Sequence, residues 1–290
     1  MPYLSIVIPT KNEEKNLPNL LESIKSQAFQ DLEVVVADAY SEDRTRDIAK
    51  DFGAKVVDGG LPGPGRNRGA AAAEGQVLLF LDADVVLSDQ NFLEANLQEM
   101  KDRGVCVGTT LVKPISDSYV DKAMHEVYNA FAIGVERVKP HAPGFCIFIK
   151  KHVHDDIGGF DEEVVFAEDH EYVQRAVKEG YRFRVLRSAP ISVSVRRLDK
   201  DGRMGIAFKY VMAELHMITK GPFKEMPYEY EMGGETHQTR VTNDQLPITN
   251  SAQKSDEQDQ NSEFGVQSSA GEDKVCGKDE NCCYNDDNNQ

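Results

Sequence analysis

Short apolar runs alternate with helical spacings along the first 110 residues, and this alternation constrains the chain more than any other feature. "YLSIVIP" (3–9) reads as a buried strand. In "EKNLPNLLESIKSQ" (14–27), Leu17, Leu20, Leu21 and Ile24 share one helical face, with Asn12 available as the cap. Strand "LEVVVAD" (32–38), helix "DRTRDIAKDF" (43–52) and strand "AKVVD" (54–58) follow. A Gly/Pro-rich turn then leads to "RNRGAAAAEG", predicted helical, and to "QVLLFLDADVVL" (76–87), apolar enough for a buried strand. Strands and helices in this order predict an α/β fold, a mostly parallel Rossmann-like sheet with helices on both faces. Sheets of that kind bind ligands beyond the carboxyl ends of their strands.

The second half is less regular. A helix is expected over 117–136, a strand at "GFCIFIKK" (144–151) and a helix over 168–180 ending at Gly180. "RFRVLR" and "ISVSVRR" read as two strands, and 203–219 as an amphipathic helix with Ile206, Tyr210, Ala213 and Met217 on one side. Core packing is the expected use of that helix; the alternative is contact with a membrane surface. Residues 1–110 and 111–230 read as the two halves of one domain. From residue 231 onward 13 acidic residues face 4 basic ones among Ser, Asn, Gln and Gly, a composition that predicts a disordered acidic tail.

The overall charge of −16 excludes unspecific nucleic-acid binding, which needs a basic excess to displace counterions from phosphates. Cys106 and Cys146 lie in apolar runs, and Cys276, Cys282 and Cys283 fit no zinc spacing, so a reducing, cytoplasmic setting is expected. No stretch approaches 18 consecutive apolar residues.

Asp82 and Asp84 carry the chemistry. One residue apart at the end of a strand, they point to the same side in extended backbone, about 6–7 Å apart. A buried unpaired carboxylate is costly, so the pair needs a reason. Two carboxylates there can share a hard divalent cation whose other ligands are substrate phosphates; equally, they can cap a turn into the next helix. Asp38, ending the second strand, either accepts hydrogen bonds from a nucleobase or ribose or caps the helix near Asp43. In "GLPGPGRNRG" (60–69), backbone amides and Arg66 or Arg68 can face phosphate. Glu168 and Asp169 open a helix, where the dipole favours carboxylates. An ionised aspartate there can take a proton from an acceptor hydroxyl, and plain N-capping is the competing role. "HVHDD" (152–156) has metal-like letters but reads as a surface helix start.

Taken together, "SIVIPTKNEEKNL" (5–17), "VVADAYSEDRT" (35–45), "GRNRGAAAAEG" (65–75), "FLDADV" (80–85) and "EDHEYVQRAVKEGYRF" (168–183) resemble the family 2 glycosyltransferases, inverting enzymes with the GT-A fold. The resemblance runs in the family's order over about 200 residues. It implies a UDP- or GDP-sugar donor, Mg²⁺ or Mn²⁺, and a saccharide or polyprenyl-phosphate acceptor. It implies that Pro9, Thr10, Lys11 and Glu13 line the nucleotide pocket and that Asp38 contacts base or ribose. Asp82 would touch the ribose or the metal's water, Asp84 would hold the metal, and Arg66 and Arg175 would serve the donor. Asp169 would be the base, beside Glu168. Where the family's second strand ends in two acids, Gly and Ser, this chain has Asp38, Ala39, Tyr40 and Ser41. The rival expectation is a GT-A-fold binding or scaffold protein without activity.

Overall fold

The computed structural model describes residues 1–164, 166–195 and two short strands, Tyr230–Met232 and Thr239–Val241. The alternating first half folds as expected: β1 (Leu4–Thr10), α1 (Leu17–Lys25), β2 (Leu32–Asp38), α2 (Thr45–Phe52), β3 (Lys55–Asp58), α3 (Pro62–Ala72) and β4 (Val77–Leu81). There follow β5 (Val85–Val86), α4 (Phe92–Asp102), β6 (Val107–Ile115), α5 (Tyr119–Val135), β7 (Cys146–Lys150), α6 (Lys151–Asp156), α7 (Glu168–Lys178) and β8 (Phe183–Ser194).

The eight strands form one sheet in the order β3-β2-β1-β4-β7-β6-β8-β5. Strands β1 to β4 pair in parallel, whereas β7 runs antiparallel to both β4 and β6, and β5 antiparallel to β8. Strand alternation divides the core between the two faces. Leu4, Ile6, Ile8, Leu79 and Leu81 pack under α1 and α4, while Val7, Leu78 and Phe80 face the side of α3 and α7. Helix α3 lies very close to β1: a Cβ on Gly69 would come within 2.3 Å of Val7 Cγ1. That approach brings α3's first turn to the rim where β1, β2 and β4 end.

Three expectations differ from what is observed. Helix α3 takes in the Gly/Pro stretch itself, because Pro62 sits in its first turn, where a missing N–H goes unnoticed. The two strands expected around Pro190 are one strand, β8, whose pairing with β6 is irregular between Thr110 and Val112. The amides of Arg187 and Ser188 donate to Glu99 Oε2 at 2.7 Å, and the Ala189 carbonyl accepts from Asn96 at 3.0 Å, so α4 satisfies the irregular stretch. Third, the "HVHDD" segment is half buried: His154 is in the core, its Nδ1 2.7 Å from the Tyr172 hydroxyl, with His152 exposed.

The expected helix 203–219 and most of the acidic tail lie outside the described residues. Across the boundary expected for the tail, residues 230–232 (β9) and 239–241 (β10) pair antiparallel. Cys146 is free and buried, and burial pushes its thiol up to about 12. Cys106 is buried too, as expected for a cysteine in an apolar run. Among the described residues no helix is long and apolar enough to cross a membrane.

Candidate active site

Strand β4 ends at Leu81, so Asp82 and Asp84 stand in the tight turn after it rather than in extended backbone; the Val85 amide closes that turn onto the Asp82 carbonyl. Burial still alternates, with Ala83 buried between two half-buried aspartates. Both carboxylates therefore reach the sheet's carboxyl rim, where β1 and β2 also end.

Arg66 of α3 joins this turn to α7. Its side chain is 3% exposed, its Nη2 donates to Asp82 Oδ1 at 3.0 Å and its Nη1 to Glu168 Oε1 at 2.7 Å. Nη2 also donates to the Gly144 carbonyl at 3.2 Å, and the guanidinium lies over the Phe160 ring. Phe160 is in turn stacked on Tyr172 of α7, centroids 3.9 Å apart. Burial disfavours the Arg66 charge, but Asp82, Glu168 and Asp169 outweigh it and hold the group firmly protonated. Glu168 moves opposite to the helix-dipole expectation. Burial, reinforced by Asp169, raises its pKa despite the Arg66 ion pair.

Asp169 is held by backbone. Its Oδ2 accepts the Gly144 amide at 2.6 Å and its Oδ1 the His170 amide at 2.8 Å. The Gly144 peptide thus serves both partners, its N–H on Asp169 and its C=O on Arg66. A larger residue would displace one of them: a Cβ would stand 2.6 Å from Arg66 Nη2 and 3.2 Å from Asp169 Oδ2. Helix α7 is entered through Ala167 at φ 58°, a left-handed conformation that strains a residue with a side chain. Beyond Asp169, the His170 ring packs against His141, centroids 3.9 Å apart.

The loop after β1 is fastened to the loop after β2. Lys11 Nζ donates to the Tyr40 carbonyl at 2.7 Å, the Asn12 amide to Ser41 Oγ at 2.8 Å and the Glu13 amide to Thr45 Oγ1 at 2.8 Å. Pro9 lies one residue before the end of β1, and Gly65 of α3 sits against it. Tyr40, exposed, adopts φ 55°.

Three expected donor contacts are occupied differently. Asp38 is fully buried and accepts from Thr10 Oγ1, Ser41 N and Oγ, and Arg46 Nη1, so it ties the turn after β2 to β1, while the start of the next helix, the alternative role expected of it, is served by Asp43, which accepts from the Thr45 amide. Arg66, expected to face phosphate, lies beneath the site with its charge spent on two carboxylates. Arg175 pairs with Glu171 at 2.7 Å and donates to the carbonyls of Ile157 and Gly159, pinning the loop between α6 and α7. Gly144 and Phe160 were invisible to sequence reasoning, since a glycine and a phenylalanine in loops carry no chemical signal of their own.

The Glycosyl transferase family 2 model matches residues 5–158. The chain is 38% identical over 104 residues to 4,4'-diaponeurosporenoate glycosyltransferase of Staphylococcus haemolyticus, covering 33% of this chain and 28% of that one. It is 27% identical over 202 residues to the glycosyltransferase AglE of Haloferax volcanii, covering 62% and 63%. The chain thus spans less than two thirds of either relative. Its fold matches the solved mannosyltransferase PcManGT from Pyrobaculum calidifontis, in complex with GDP-Man and Mn²⁺, with a TM-score of 0.62 at 21% identity, covering 76% of this chain and 65% of that one.

Proposed function

The chain belongs to glycosyl transferase family 2, and on that premise we propose that it moves a sugar from a nucleoside-diphosphate donor to a hydroxyl or lipid-phosphate acceptor, with inversion. The observation that carries this reading is the joining of Asp82 and Glu168 through Arg66, with Asp169 fixed next to them by Gly144. Carboxylates from distant stretches of chain meet at one rim of the sheet.

Asp169 takes the acceptor proton in this proposal. Two backbone amides set its orientation, leaving remaining lone pairs for the acceptor, and Glu168 anchors the helix end to Arg66. Pro9, Thr10, Lys11 and Glu13 border the nucleotide, on a loop held rigid by the Ser41 and Thr45 contacts. Asp38 supports that loop from below through Thr10 and Ser41. Arg175 positions the loop that carries Phe160. The proposal keeps the cytoplasmic setting expected from the sequence.

Asp82 and Asp84 offer hard oxygen donors, the type Mg²⁺ and Mn²⁺ accept when phosphate and water complete the shell. Among the described residues no group of three or more His, Cys, Asp or Glu side chains forms a cage by itself; the proposed set is therefore the two aspartates plus the donor's phosphates. When bound, the cation neutralises charge on the leaving diphosphate.

Calorimetry of the full chain with UDP-, GDP- and CMP-sugars and Mn²⁺ tests the reading. One donor class should bind only with metal, and Asp84→Ala should abolish that binding. Metal-independent binding, or undiminished binding by Asp84→Ala, refutes the assigned metal role. Asp169→Asn should retain donor binding and lose turnover.

A further inference from the structure

Arginines gather where β8 begins. Arg184 and Arg187 lie on the strand and Arg182 just before it; Arg103 ends α4 and Arg137 follows α5. Arg182 Nη1 donates to the Arg103 carbonyl at 3.2 Å, and Arg103 Nη1 to the Val185 carbonyl at 3.0 Å. Strand β7 is antiparallel to both β4 and β6, and β8 is parallel to β6. The start of β8 therefore lies at the rim opposite Asp82, which follows the end of β4.

Glu99 and Glu136 stand among these arginines, and both are committed to the fold. Glu99 Oε2 accepts the Arg187 and Ser188 amides and the Ser188 hydroxyl, each at 2.7 Å, and its Oε1 accepts from Arg103. Glu136 Oε2 accepts the Val185 amide at 2.9 Å, and its Oε1 lies 3.5 Å from Arg187 Nη2 and 3.9 Å from Arg103 Nη2. Arg184 is placed differently. Half buried, it donates to the Phe183 carbonyl at 2.7 Å and pairs with no carboxylate of the described residues. Burial lowers its pKa, and Arg137, Arg182 and Arg103 lower it further against the pull of Glu136.

A guanidinium held half buried among like charges is unfavourable on its own, and here it belongs to a basic island in a chain of net charge −16. An anion seated on the island would turn that repulsion into attraction. Guanidinium forks match the oxygens of phosphate in pairs. We propose that this cluster binds a phosphate-bearing anion through Arg184 and Arg187, at a site separate from the proposed nucleotide pocket. The anion is a soluble phosphate compound or a lipid headgroup, which share that chemistry. The inference stands apart from sugar transfer, since it uses no residue of the opposite rim.

Calorimetry of the full chain with inorganic pyrophosphate provides the test, run in EDTA to strip the cation that the donor diphosphate is proposed to need. The parent should bind, and Arg184→Gln and Arg187→Gln should each bind about tenfold more weakly or worse. Lys50→Gln, which removes an exposed charge on α2, should bind as the parent does. Melting curves give a second readout. Without the anion Arg184→Gln should melt at or above the parent's temperature, because it relieves repulsion. Added pyrophosphate should raise the melting temperature of the parent and not of the variant. Cosedimentation with phosphatidylglycerol vesicles separates the two sources: vesicle binding by the parent that Arg184→Gln loses assigns the site to a headgroup, and pyrophosphate binding without it assigns the site to a soluble compound. Absence of both kinds of binding overturns the proposal, as does binding that Arg184→Gln and Arg187→Gln leave unchanged. A clear fall in the melting temperature of anion-free Arg184→Gln marks the residue as structural and overturns it too.

Discussion

Arg66 and Glu168, 102 residues apart in the chain, meet at 2.7 Å. Because the other guanidinium nitrogen holds Asp82, this ion pair is the physical link between the turn after β4 and the start of α7. The charge sits below the rim, where it fixes carboxylates instead of meeting a ligand.

Removing that charge should be severe. Arg66→Met leaves Glu168 and Asp82 facing each other's environment without a counter-charge, and breaking a buried pair typically costs about 3–5 kcal/mol. Urea unfolding of Arg66→Met should show a loss of about 3 kcal/mol. Arg66→Met with Glu168→Gln should lose less than the two single changes added together, since the second removes the orphaned carboxyl. Strict additivity would show that the pair contributes nothing.

Gly144→Ala should damage turnover more than donor affinity. The new methyl must displace Arg66 Nη2 or Asp169 Oδ2, and both are held by buried partners. Overpacking of this kind costs about 1–3 kcal/mol. Gly63→Ala, in the first turn of α3, supplies the contrast: its added Cβ meets Glu168 Cγ at 3.7 Å and Phe160 Cβ at 3.8 Å, ordinary contact distances. Steady-state kinetics should separate the two variants, with Gly63→Ala close to the parent.

Much of this architecture was legible because it follows from periodicity. Strand β2 occupies the span expected for it, 32–38, since four consecutive apolar residues after Glu33 fit no surface helix. The Asp82/Asp84 pair stood out for the opposite reason, as charge interrupting a buried run. What stayed hidden depends on tertiary contact. Arg66 reads as a residue that faces phosphate, and only the arrival of Asp82 and of Glu168 at the start of α7 explains its burial. Pro62 and Pro190 read as breaks, yet one begins a helix and the other sits in a strand whose irregular pairing α4 repairs. His154 looked like a surface residue until Tyr172 closed over it.

Tyr40 makes a prediction about backbone strain. It stands where the resembled family has glycine and adopts the left-handed φ of 55° that glycine favours. A residue with a Cβ is strained there by about 1 kcal/mol. Its side chain is mostly exposed, and its carbonyl, which accepts from Lys11, remains in any substitution. Tyr40→Gly should therefore hold or raise the melting temperature, although glycine at an ordinary helical position lowers stability by about 0.5–1 kcal/mol. A clear fall would show that the ring makes contacts worth more than the strain.

His154 should make the fold acid-sensitive. Burial lowers its pKa from 6.5 to about 4, with a smaller opposing pull from Asp155. The depressed value means that the native state prefers neutral imidazole, whereas the unfolded chain takes up a proton near 6.5. Between those values the unfolded state binds more protons, so stability rises with pH across the window and is fully present above it. Falling from pH 7 to pH 4 should remove about 3 kcal/mol through this group alone. In His154→Gln, which keeps a polar partner for the Tyr172 hydroxyl, that share of the slope should vanish while other carboxylate contributions remain. Urea unfolding at pH 7 and pH 4.5 for both chains measures it, and equal slopes would mean that the imidazole is protonated in the folded protein.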